Sequence, residues 1–397
     1  MSNTQTKNVP ELRFPGFEGE WEEKKLGDLG LFQKSYSFSR AKEGNGKTKH
    51  IHYGDIHSKF KTVLDSDGNI PNIIEKAVFE LIQKGDIVFA DASEDYSDLG
   101  KAVMIDFKPN SLISGLHTHL FRPLNNAISN FLIFYTKTLS YKKFIRQQGT
   151  GISVLGISKK SLLNLNVLIP RSELEQQKVG KLFSKLDRQI ELEEQKIELL
   201  QQQKKGYIQK IFSQELRFKD ENGDDYPEWE ETTIKEIAQI NTGKKDTKDA
   251  ITNGSYDFYV RSPIVYKINT FSYEGEAILT VGDGVGVGKV FHYVNGKFDY
   301  HQRVYKISDF KNYYGLLLFY YFSQNFLKET KKYSAKTSVD SVRKDMVANM
   351  KVPRPIYIEQ EKIGQFIKKV DNKIKIQKQV IELLKQRKKA LLQKMFI

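Results

Sequence analysis

Cysteine is absent from this chain of 397 residues. Its absence excludes a disulfide framework, cysteine-based zinc sites, iron–sulfur ligation and a thiol nucleophile. Long apolar runs are absent too, because the longest candidate for a membrane span, Gly315 to Tyr321, is much too short. The first residues, Met1 to Thr6, lack the charged and apolar regions of a signal peptide. We therefore expect a soluble protein of the cytoplasm.

The sequence also lacks the motifs of the usual nucleic-acid enzymes, among them a Walker motif, a Gly-x-Ser-x-Gly elbow and the short methyltransferase and nuclease signatures. The glycine-rich segment Gly282 to Lys289 is the nearest to a phosphate-binding loop. In that segment, however, Asp283 occupies the position of the first P-loop glycine, and Val290 follows the lysine where Ser or Thr is required. Because the next residues are strand-like, we predict a glycine-rich hairpin here. Since the motifs of these enzymes are missing, we expect no catalytic residue in the chain.

Positive charge is in surplus, with 63 Lys and Arg residues against 49 Asp and Glu residues and a formal net charge of +14. A surplus of this size favours a polyanionic partner such as double-stranded DNA, because each phosphate that Lys or Arg neutralises releases counterions. Basic proteins also bind membranes or carry charge for solubility, so composition alone leaves the partner open.

A duplication is the most informative feature of the sequence. The Glu-Leu-Arg-Phe of Glu11–Phe14 recurs as Glu215–Phe218, and the only two tryptophans, Trp21 and Trp229, follow at equivalent places. A repeat of this kind indicates that one structural unit occurs twice in the chain.

A second pair of segments repeats further along each half. Glu175–Gly180 matches Glu359–Gly364, and the match continues without a gap to Ile197–Leu200 and Ile381–Leu384. Apolar residues in both segments are three or four positions apart, with charged and polar residues between them, which is typical of an amphipathic helix. The first helix, from about residue 172 to 212, would be about 60 Å long at about 1.5 Å per residue.

Neither helix can bury its apolar stripe alone. We therefore predict that the two helices pair as an antiparallel coiled coil, which would relate the repeats by a pseudo-two-fold axis. The predicted pairing residues are Leu186, Ile190, Ile197, Leu200, Tyr207, Ile211, Val370, Ile374, Ile381, Leu384, Leu391 and Met395. The alternative is that the helices are unrelated and that each packs on its own domain, but the matching register of the two stripes favours pairing.

The residues before each helix predict how it begins. Pro170 and Pro353 are expected to end the strand-like runs Leu165–Ile169 and Val347–Val352. The segment Ser172–Glu175 has the spacing of a capping box, which predicts a helix start. The second copy lacks this box, so the start of its helix is less well defined.

Two stretches lie between the repeated segments, from about Trp21 to Leu165 and from about Trp229 to Val347. They differ in sequence, but both have the short strands and loops of a mixed α/β fold. A common skeleton is still visible in four segments: Gly85–Phe89 with Gly275–Leu279, Gly100–Val103 with Gly288–Phe291, His117–Arg122 with His301–Lys306, and the aromatic, helical Phe131–Phe144 with Leu316–Phe326. We expect one duplicated scaffold whose exposed loops have diverged for two recognition tasks.

The loops of both stretches are basic and aromatic, and such residues can hold phosphates or contact base edges. The candidates for DNA contact in the first stretch are Lys34, Ser35, Tyr36, Arg40, Lys42, Lys47, Lys49, His50, His117 and His119. Those in the second stretch are Lys244, Lys245, Lys248, Arg261, His301, Arg303, Lys331 and Lys336. An ordinary solvated basic surface is the alternative for each of them.

Two pairs of histidines, His50 with His52 and His117 with His119, have a spacing that puts both imidazoles on one face of a strand. A metal site would need further ligands, and neither a cysteine nor an acidic cluster nearby in the sequence completes one. We therefore expect no metal site and favour polar contacts within a strand or groove.

With two variable α/β domains alternating with two near-identical long helices, the chain resembles the specificity (S) subunits of type I restriction-modification systems over essentially its whole length. The most specific residues are the Pro-Arg…Glu-Gln-x-Lys-Val/Ile-Gly segments at Pro170–Gly180 and Pro353–Gly364. The resemblance implies the following divisions: 1–20 (N-terminal segment), 21–170 (first target-recognition domain), 171–213 (central spacer helix), 214–228 (linker), 229–354 (second target-recognition domain) and 355–397 (C-terminal spacer helix).

The resemblance also implies that each target-recognition domain recognises one half of a bipartite, asymmetric DNA site and that the paired helices set the gap between the halves. Two methylation (M) subunits would transfer methyl groups from S-adenosylmethionine to adenine, and motor-nuclease (R) subunits using ATP and Mg²⁺ would cut unmodified DNA. This chain would bind none of these cofactors. Two alternatives remain, a stand-alone DNA-binding coiled-coil adaptor and a methyltransferase or nuclease with unrecognised motifs.

Overall fold

The structure is a computed structural model, and it describes residues 8–332 and 341–397 apart from the side chain of Asn126. Its contacts divide the chain into two compact units. Unit 1 comprises Met1–Glu194 and Gln379–Ile397, and unit 2 comprises Gln195–Lys378. The units therefore cut across the predicted spacer segments, because each long helix contributes one half to each unit.

Unit 1 contains short strands and five short helices before its first long helix. Its strands are β1 (Glu22–Lys25), β2 (Gly30–Phe32), β3 (Glu43–Ile51), β4 (Val63–Leu64), β5 (Asn72–Ile73), β6 (Ile87–Ala90), β7 (Ala92–Ser93), β8 (Ala102–Ile105), β9 (Leu112–Ser114), β10 (Thr118–Pro123), β11 (Leu155–Gly156) and β12 (Asn166–Ile169). Its helices are α1 (Leu26–Leu29), α2 (Tyr53–Ser58), α3 (Asn126–Tyr135), α4 (Leu139–Gln148), α5 (Lys159–Leu163) and the first half of α6 (Glu173–Phe212).

Unit 2 begins in the second half of α6. Its strands are β13 (Glu230–Thr233), β14 (Gln239–Thr242), β15 (Tyr256–Tyr259), β16 (Val265–Ile268), β17 (Tyr273–Val281), β18 (Phe291–Tyr300), β19 (Val304–Ser308) and β20 (Lys351–Arg354). Its further helices are α7 (Ile234–Ile237), α8 (Gly315–Lys331), α9 (Lys344–Ala348) and the first half of α10 (Tyr357–Met395). Short 3₁₀ turns occupy Arg40–Lys42 in unit 1, and Thr247–Asp249 and Gly284–Gly286 in unit 2.

Each unit contains a core of four strands, and the four strands of one unit are equivalent to those of the other. Their order is β2-β10-β6-β8 in unit 1 and β14-β19-β17-β18 in unit 2. All neighbours within each set of four are antiparallel. The predicted skeleton is thus confirmed, because the paired segments of the sequence supply equivalent strands. The glycine-rich segment is also the predicted hairpin, since it joins β17 to the antiparallel β18.

The apolar runs of the sequence explain why these strands lie at the centre. β6 (Ile-Val-Phe-Ala) and β8 (Ala-Val-Met-Ile) are buried along their whole lengths, as are the last five residues of β17. A strand covered on both faces needs a continuous apolar run rather than an alternating pattern. Helices α3 and α8 cover these sheets with aromatic side chains such as Phe131, Phe134 and Phe322, none of which is exposed.

A glycine is required at the same point of both units. Gly100 and Gly288 precede the last strand of the common core and have φ values of +70° and +65°, where a side chain is strained. A Cβ atom there would also lie 2.6 Å from the side chain of Ile145 or of Leu327. The duplicated Gly-Lys of the sequence therefore marks a tight approach of this loop to the covering helix.

The units differ outside the common core. Unit 1 adds the three-stranded sheet β5-β3-β9 and helix α2, whereas unit 2 extends its sheet by β15 and β16. The segment Phe131–Phe144, predicted as one helix, is divided between α3 and α4, because the Thr138 side chain accepts a hydrogen bond from the Tyr141 N–H and caps a new helix. Its counterpart in unit 2 is the single helix α8, as predicted.

The strand before each long helix pairs with the strand after the tryptophan. β1 pairs with β12 and β13 pairs with β20, both antiparallel. The second strand does not lie at the predicted residues. Val347 lies in α9, and Pro353, which was expected to end the strand, lies inside β20. A two-stranded sheet has only edge strands, so the missing N–H of a proline is tolerated there.

The repeated residues at the start of each long helix form one arrangement twice. In unit 1 the buried Glu175 accepts hydrogen bonds from Arg13 Nε at 2.7 Å and Arg13 Nη2 at 2.8 Å, and from Trp21 Nε1 at 3.3 Å. The predicted capping box is therefore only half formed. The Ser172 hydroxyl accepts from the Glu175 N–H at 3.4 Å, but the Glu175 carboxylate points to the arginine instead of the helix start.

Unit 2 repeats this arrangement with equivalent residues. The buried Glu359 accepts from Arg217 Nη2 at 3.0 Å and from Trp229 Nε1 at 2.9 Å. We call each set of three residues an Arg–Glu–Trp anchor. A charged pair is costly to bury unless its hydrogen bonds are satisfied, and in both anchors the buried glutamate has an arginine and a tryptophan as donors.

The long helices pair within each unit, as predicted, and they pair in antiparallel fashion. In unit 1 Lys388 of α10 contacts Asp187 of α6, and in unit 2 Lys204 of α6 lies 2.6 Å from Asp371 of α10. Asp371 and Lys204 are the repeat equivalents of Asp187 and Lys388. The same ion pair therefore forms in both units, with α6 supplying the aspartate in unit 1 and the lysine in unit 2. In unit 2, Ile208 and Ile211 of α6 belong to one buried cluster with Ile363 of α10.

The predicted pairing residues differ in their burial. Those that are buried are Leu186, Ile190, Ile211, Ile374, Ile381, Leu384 and Met395, and those that are half-buried are Ile197, Leu200, Val370 and Leu391. Tyr207 is 38% exposed, although its ring meets Phe366 of α10 edge-on at 5.2 Å. Ile208, which was not predicted, takes the buried position beside it.

Over the two described ranges of the chain, no helix is both long enough and apolar enough to cross a membrane.

Candidate nucleic-acid interface

The same edge of the sheet carries charged side chains in both units. It is the edge where the central strand (β6 or β17) ends and its antiparallel neighbour (β10 or β19) begins. One backbone hydrogen bond closes this edge in each unit, from Asp91 N to His117 O at 3.1 Å and from Gly282 N to Arg303 O at 2.7 Å. We call it the charged edge. The sequence-predicted residues His117, His119, Arg261, His301 and Arg303 belong to it.

In unit 1 the charged edge centres on Asp91. The Nδ1 atoms of His117 and His119 lie 3.2 Å and 3.5 Å from its two carboxylate oxygens. His119 also forms a hydrogen bond from Nε2 to Ile157 O at 3.0 Å, so its ring is fixed at both nitrogens. His117 has a φ of +52°, and a strained backbone of this kind is concentrated at functional sites.

A second group of rings, of which only His117 was a predicted DNA contact, joins this edge through Tyr53. The ring of Tyr53 meets those of His52, His57 and His117 at centroid distances of 4.7, 5.4 and 5.2 Å. A cavity of about 330 Å³ lies here, lined by Tyr53, His57, His117 and by Asp95 and Asp98 of the loop after β7. The cavity therefore combines aromatic, imidazole and carboxylate groups, which can hydrogen-bond to base edges.

Arg40 and His50 differ in exposure: Arg40 is exposed but already paired with two carboxylates, whereas His50 is buried. Arg40 Nη2 donates to the buried Asp55 at 3.0 Å and Nη1 to Glu43 at 3.4 Å. The same Glu43 lies 3.3 Å from His50 Nε2. His50 is fully buried, so its burial does not support direct contact with DNA, and its position indicates that it holds β3 against α2.

Burial lowers the pKa values of His50, His52, His57 and His119, because the charged imidazolium would lose its hydration. Asp55 shows the opposite balance of causes: burial would raise its pKa, but hydrogen bonds from Arg40 and Lys59 bring it below the ordinary value. Burial thus disfavours the charged form of these imidazoles, whereas Arg40 and Lys59 favour the charged form of Asp55.

The remaining candidates of unit 1 lie on the surface around these groups. Tyr36 accepts a hydrogen bond from the Glu80 N–H at 2.8 Å and packs against Phe38 and Phe79, with the Lys34 ammonium 5.2 Å above its ring. The others are Ser35, bonded to Ser114; Lys42, paired with Glu75; Lys49, paired with Asp67; and Lys47, which is exposed. Most of these residues already have a partner within unit 1, so their contact with DNA stays a prediction.

In unit 2 the charged edge centres on two carboxylates. Asp283, directly after β17, accepts from Arg261 Nη1 at 3.2 Å and lies 3.6 Å from Arg303 Nε. Asp246 lies 3.6 Å from His301 Nε2 and accepts from Gln302 Nε2 at 3.1 Å. His301 is buried, and burial lowers its pKa. Its Nδ1 accepts a hydrogen bond from the Arg303 N–H at 2.9 Å, so it positions the turn before β19, and its burial does not support direct contact with DNA.

Lys245 joins this edge through its backbone, because Gln302 N donates to Lys245 O at 2.8 Å. Lys244, Lys248 and Lys331 are exposed lysines of unit 2. Lys336 lies outside the described residues. The structure thus brings Lys245, Arg261, His301 and Arg303 together.

The groups of this interface that were missed from the sequence are Tyr53, His57, Asp91, Asp95, Asp98, Asp246, Asp283 and Gln302. A search for basic residues passes over carboxylates, although Asp91, Asp246 and Asp283 each lie against one or two of the predicted side chains. A sequence signal did exist, because Asp91 and Asp283 each follow a central apolar strand closely.

The H-x-H pairs do not lie as predicted. His52 is outside β3 and caps α2, since its Nδ1 accepts a hydrogen bond from the Gly54 N–H at 3.1 Å. Within the described part of the chain, no three His, Asp or Glu side chains are grouped as a metal ion would require.

One scaffold thus occurs twice in the chain and carries two different charged edges. A family model described as the type I restriction modification DNA specificity domain matches the chain twice, over residues 18–202 and 226–386. The chain therefore belongs to the family of type I restriction-modification specificity subunits.

Relatives and a solved structure agree with this family. The chain is 25% identical over 321 residues to the type I restriction enzyme MjaVIII specificity subunit of Methanocaldococcus jannaschii, a match that covers 68% of this chain and 69% of the relative. It is 24% identical to the putative MjaX specificity subunit of the same organism, with 84% of each chain covered. Its fold is similar to that of the S subunit from M. genitalium, with a TM-score of 0.63, 16% identity, and 98% and 99% of the two chains covered.

Proposed function

We propose that this chain recognises a bipartite, asymmetric DNA site and has no catalytic role of its own, with the charged edge of each unit contacting one half of the site. The observation that carries the proposal is the duplication: the Arg–Glu–Trp anchor is the same in both units, but Asp91 lies beside imidazoles and Asp283 beside guanidinium groups. A shared scaffold with different edge chemistry suits two different base sequences.

The partners follow from the family. The relatives are named as subunits of type I restriction enzymes, and we propose that this chain likewise directs adenine methylation by two methylation subunits and restriction by motor-nuclease subunits. S-adenosylmethionine, ATP and Mg²⁺ would be bound by those subunits. The surplus positive charge of the chain supports contact with the phosphates of double-stranded DNA.

Mapping methylated adenine in living cells tests this proposal. The chain is co-expressed with the methylation subunit of its own host in cells that lack this modification, and the methylation subunit alone is the control. We expect methylated adenine at one bipartite motif only when both chains are present. Methylation that does not depend on this chain, or a contiguous motif, would contradict the proposal.

Two measurements on the purified chain test the alternatives, an enzyme and a coiled-coil adaptor. Nuclease or methyltransferase activity of the chain alone, with Mg²⁺ or S-adenosylmethionine, would show that it is an enzyme. A protein-binding adaptor would bind DNA with little dependence on salt. A specificity subunit should lose affinity steeply, with a slope of log K against log salt of about −0.9 for each phosphate contacted.

A further inference from the structure

The two arginines at the charged edge of unit 2 hold Asp283 in different ways. Arg261 donates from a terminal nitrogen, Nη1, at 3.2 Å. Arg303 faces the other carboxylate oxygen with Nε, at 3.6 Å. Among the residues that the structure describes, Asp283 is the one ionic partner of the Arg303 guanidinium, and neither terminal nitrogen of Arg303 forms a hydrogen bond with them.

The backbone around Arg303 is fixed although its side chain is 65% exposed. Its N–H donates to Nδ1 of the buried His301 at 2.9 Å. Its carbonyl oxygen accepts from Gly282 N at 2.7 Å, and Val342 N donates to Gly282 O at 2.7 Å. The arginine therefore extends into solvent from an ordered turn, so binding would not have to pay for ordering the backbone that carries it.

This geometry has a specific match among the bases. Guanine presents two neighbouring acceptors, O6 and N7, in the major groove, and the two terminal nitrogens of an arginine can donate to both at once. Asp283 lies beside Nε of Arg303 at ion-pair distance and keeps the guanidinium on this side of the turn, while both terminal nitrogens stay available for a base. The Arg261 fork is less suitable, because one of its terminal nitrogens is already bonded to Asp283.

We infer that Arg303 is the residue through which unit 2 recognises a guanine, and that Asp283 is its positioning residue. The inference rests on the proposed function, because it assigns one base of the half-site that unit 2 contacts. It predicts a guanine at a fixed position of that half-site, and it predicts that recognition uses the major-groove atom N7.

The experiment compares methylation motifs of wild-type chain, Arg303→Ala and Arg303→Lys, each co-expressed with the methylation subunit. Exchanging residues 229–354 first shows which half-site belongs to unit 2. Arg303→Ala and Arg303→Lys should both loosen one guanine position in that half and leave every other position unchanged. Lysine keeps the charge but lacks the fork, so it should not restore discrimination. Lys311→Ala, at an exposed lysine of the same unit that follows the other end of β19 and is not a candidate for DNA contact, is the matched control and should leave the motif unchanged.

Binding of the purified complex to a site with 7-deazaguanine at that position tests the atom. The wild-type complex should lose affinity by about 5- to 150-fold, and the Arg303→Ala complex should bind both sites equally. Asp283→Asn should weaken discrimination at the same position by a smaller factor, and Asp283→Glu should recover part of it. Melting temperatures of all variants should match that of the wild type, because these side chains lie at the surface.

The outcomes separate the two hypotheses. If the wild-type chain directs no bipartite methylation, the proposed function fails. If the wild-type motif is bipartite but Arg303→Ala leaves it unchanged, or loosens a base other than guanine, the assignment of Arg303 is wrong while the proposed function stands. If the wild-type and Arg303→Ala complexes lost affinity equally when the guanine was replaced by 7-deazaguanine, the assignment of Arg303 would also be wrong.

Discussion

In both units a buried glutamate at the start of a long helix holds an arginine and a tryptophan, but the loops at the charged edge are built from different residues. The loop after β6 in unit 1 contains four carboxylates: Asp91, Glu94, Asp95 and Asp98. The corresponding loop of unit 2 is short and rich in glycine, with Asp283 between two arginines. The repeat therefore keeps the residues that join each unit to its helix and varies the residues that can meet DNA.

The different side chains at the two charged edges also predict that the two units recognise different bases. Carboxylates accept hydrogen bonds from the amino group of cytosine, whereas arginine donates to guanine. In unit 1 the Asp95 carboxylate is already ordered, because Ser97 donates to it from both its hydroxyl and its N–H, and these bonds lower its pKa. We expect the two half-sites to differ in composition.

The largest expected effect is on the anchors, and it tests whether both units depend on them equally. Glu175→Ala and Glu359→Ala each remove the partner of a partly buried arginine, which costs about 3–5 kcal/mol of unfolding free energy for a buried pair. Glu175 accepts two short bonds from Arg13, so its substitution should be at least as costly as that of Glu359. Denaturant unfolding of the full chain measures both.

Glu198→Ala is the control for the anchors, because Glu198 is an exposed residue of α6. It should change the unfolding free energy by no more than about 0.5 kcal/mol. A loss below about 1 kcal/mol in either anchor variant would show that the repeated glutamates do not hold the units to their helices.

The next effect tests the helix pairing with two neighbouring leucines. Leu384 of α10 is 9% exposed and Leu383 is 64% exposed. Leu384→Ala should cost about 2–5 kcal/mol because it leaves a cavity in the paired seam. Leu383→Ala should leave thermal melting nearly unchanged, and similar effects of the two substitutions would contradict pairing through this stripe.

The repeated helices could be predicted from the sequence because local spacing determines them. The anchors could not, because Arg13 and Glu175 are 162 residues apart in the chain. The three–four spacing from Val179 to Ile211 identifies the buried face of a helix whatever its partner is. The exceptions arise from tertiary contacts: Glu175 leaves its helix cap for Arg13, and Val347 belongs to a helix although its sequence is strand-like. These choices depend on residues far away in the chain.

The candidate interface was predictable only in part for the same reason. Charge identified Arg261 and Arg303, but nothing local shows that Asp283 lies between them, since the three residues come from different parts of the sequence. Likewise the burial of His50 and His301 follows from sheet packing, which the sequence of a loop does not reveal.

A pH titration sharpens the comparison through the histidines. The pKa values of four histidines in unit 1 and two in unit 2 lie below 6.5 because of burial: His50, His52, His57 and His119, and His292 and His301. The unfolded histidines take up protons first, so stability is fully present above pH 6.5 and falls as the pH drops towards the folded pKa values.

Hydrogen exchange at pH 7.5 and pH 5.5, corrected for the intrinsic rate, measures this effect locally. Residues 43–58 and 115–123 of unit 1 should lose more protection than residues 291–308 of unit 2. Equal losses in the two units would show that the additional buried histidines of unit 1 do not determine its response to acid.

The smallest effect concerns the repeated ion pairs of the long helices. Asp187 with Lys388 and Asp371 with Lys204 are partly exposed pairs, so double-mutant cycles with alanine should give coupling energies of about 0.2–1 kcal/mol in both units. Asp371 also accepts a hydrogen bond from the Tyr320 hydroxyl at 2.8 Å. Its single substitution should therefore cost more than that of Asp187, and the reverse order would contradict the contacts described here.

Exchange of one recognition module tests the central claim most directly. Residues 21–165 are replaced by the corresponding segment of a family member with a different methylated motif, and methylated adenines are mapped in cells that also express the methylation subunit. The account predicts that one half of the motif changes to that of the donor while the other half stays the same. A change in both halves, or in neither, would contradict the claim that each unit recognises its own half-site.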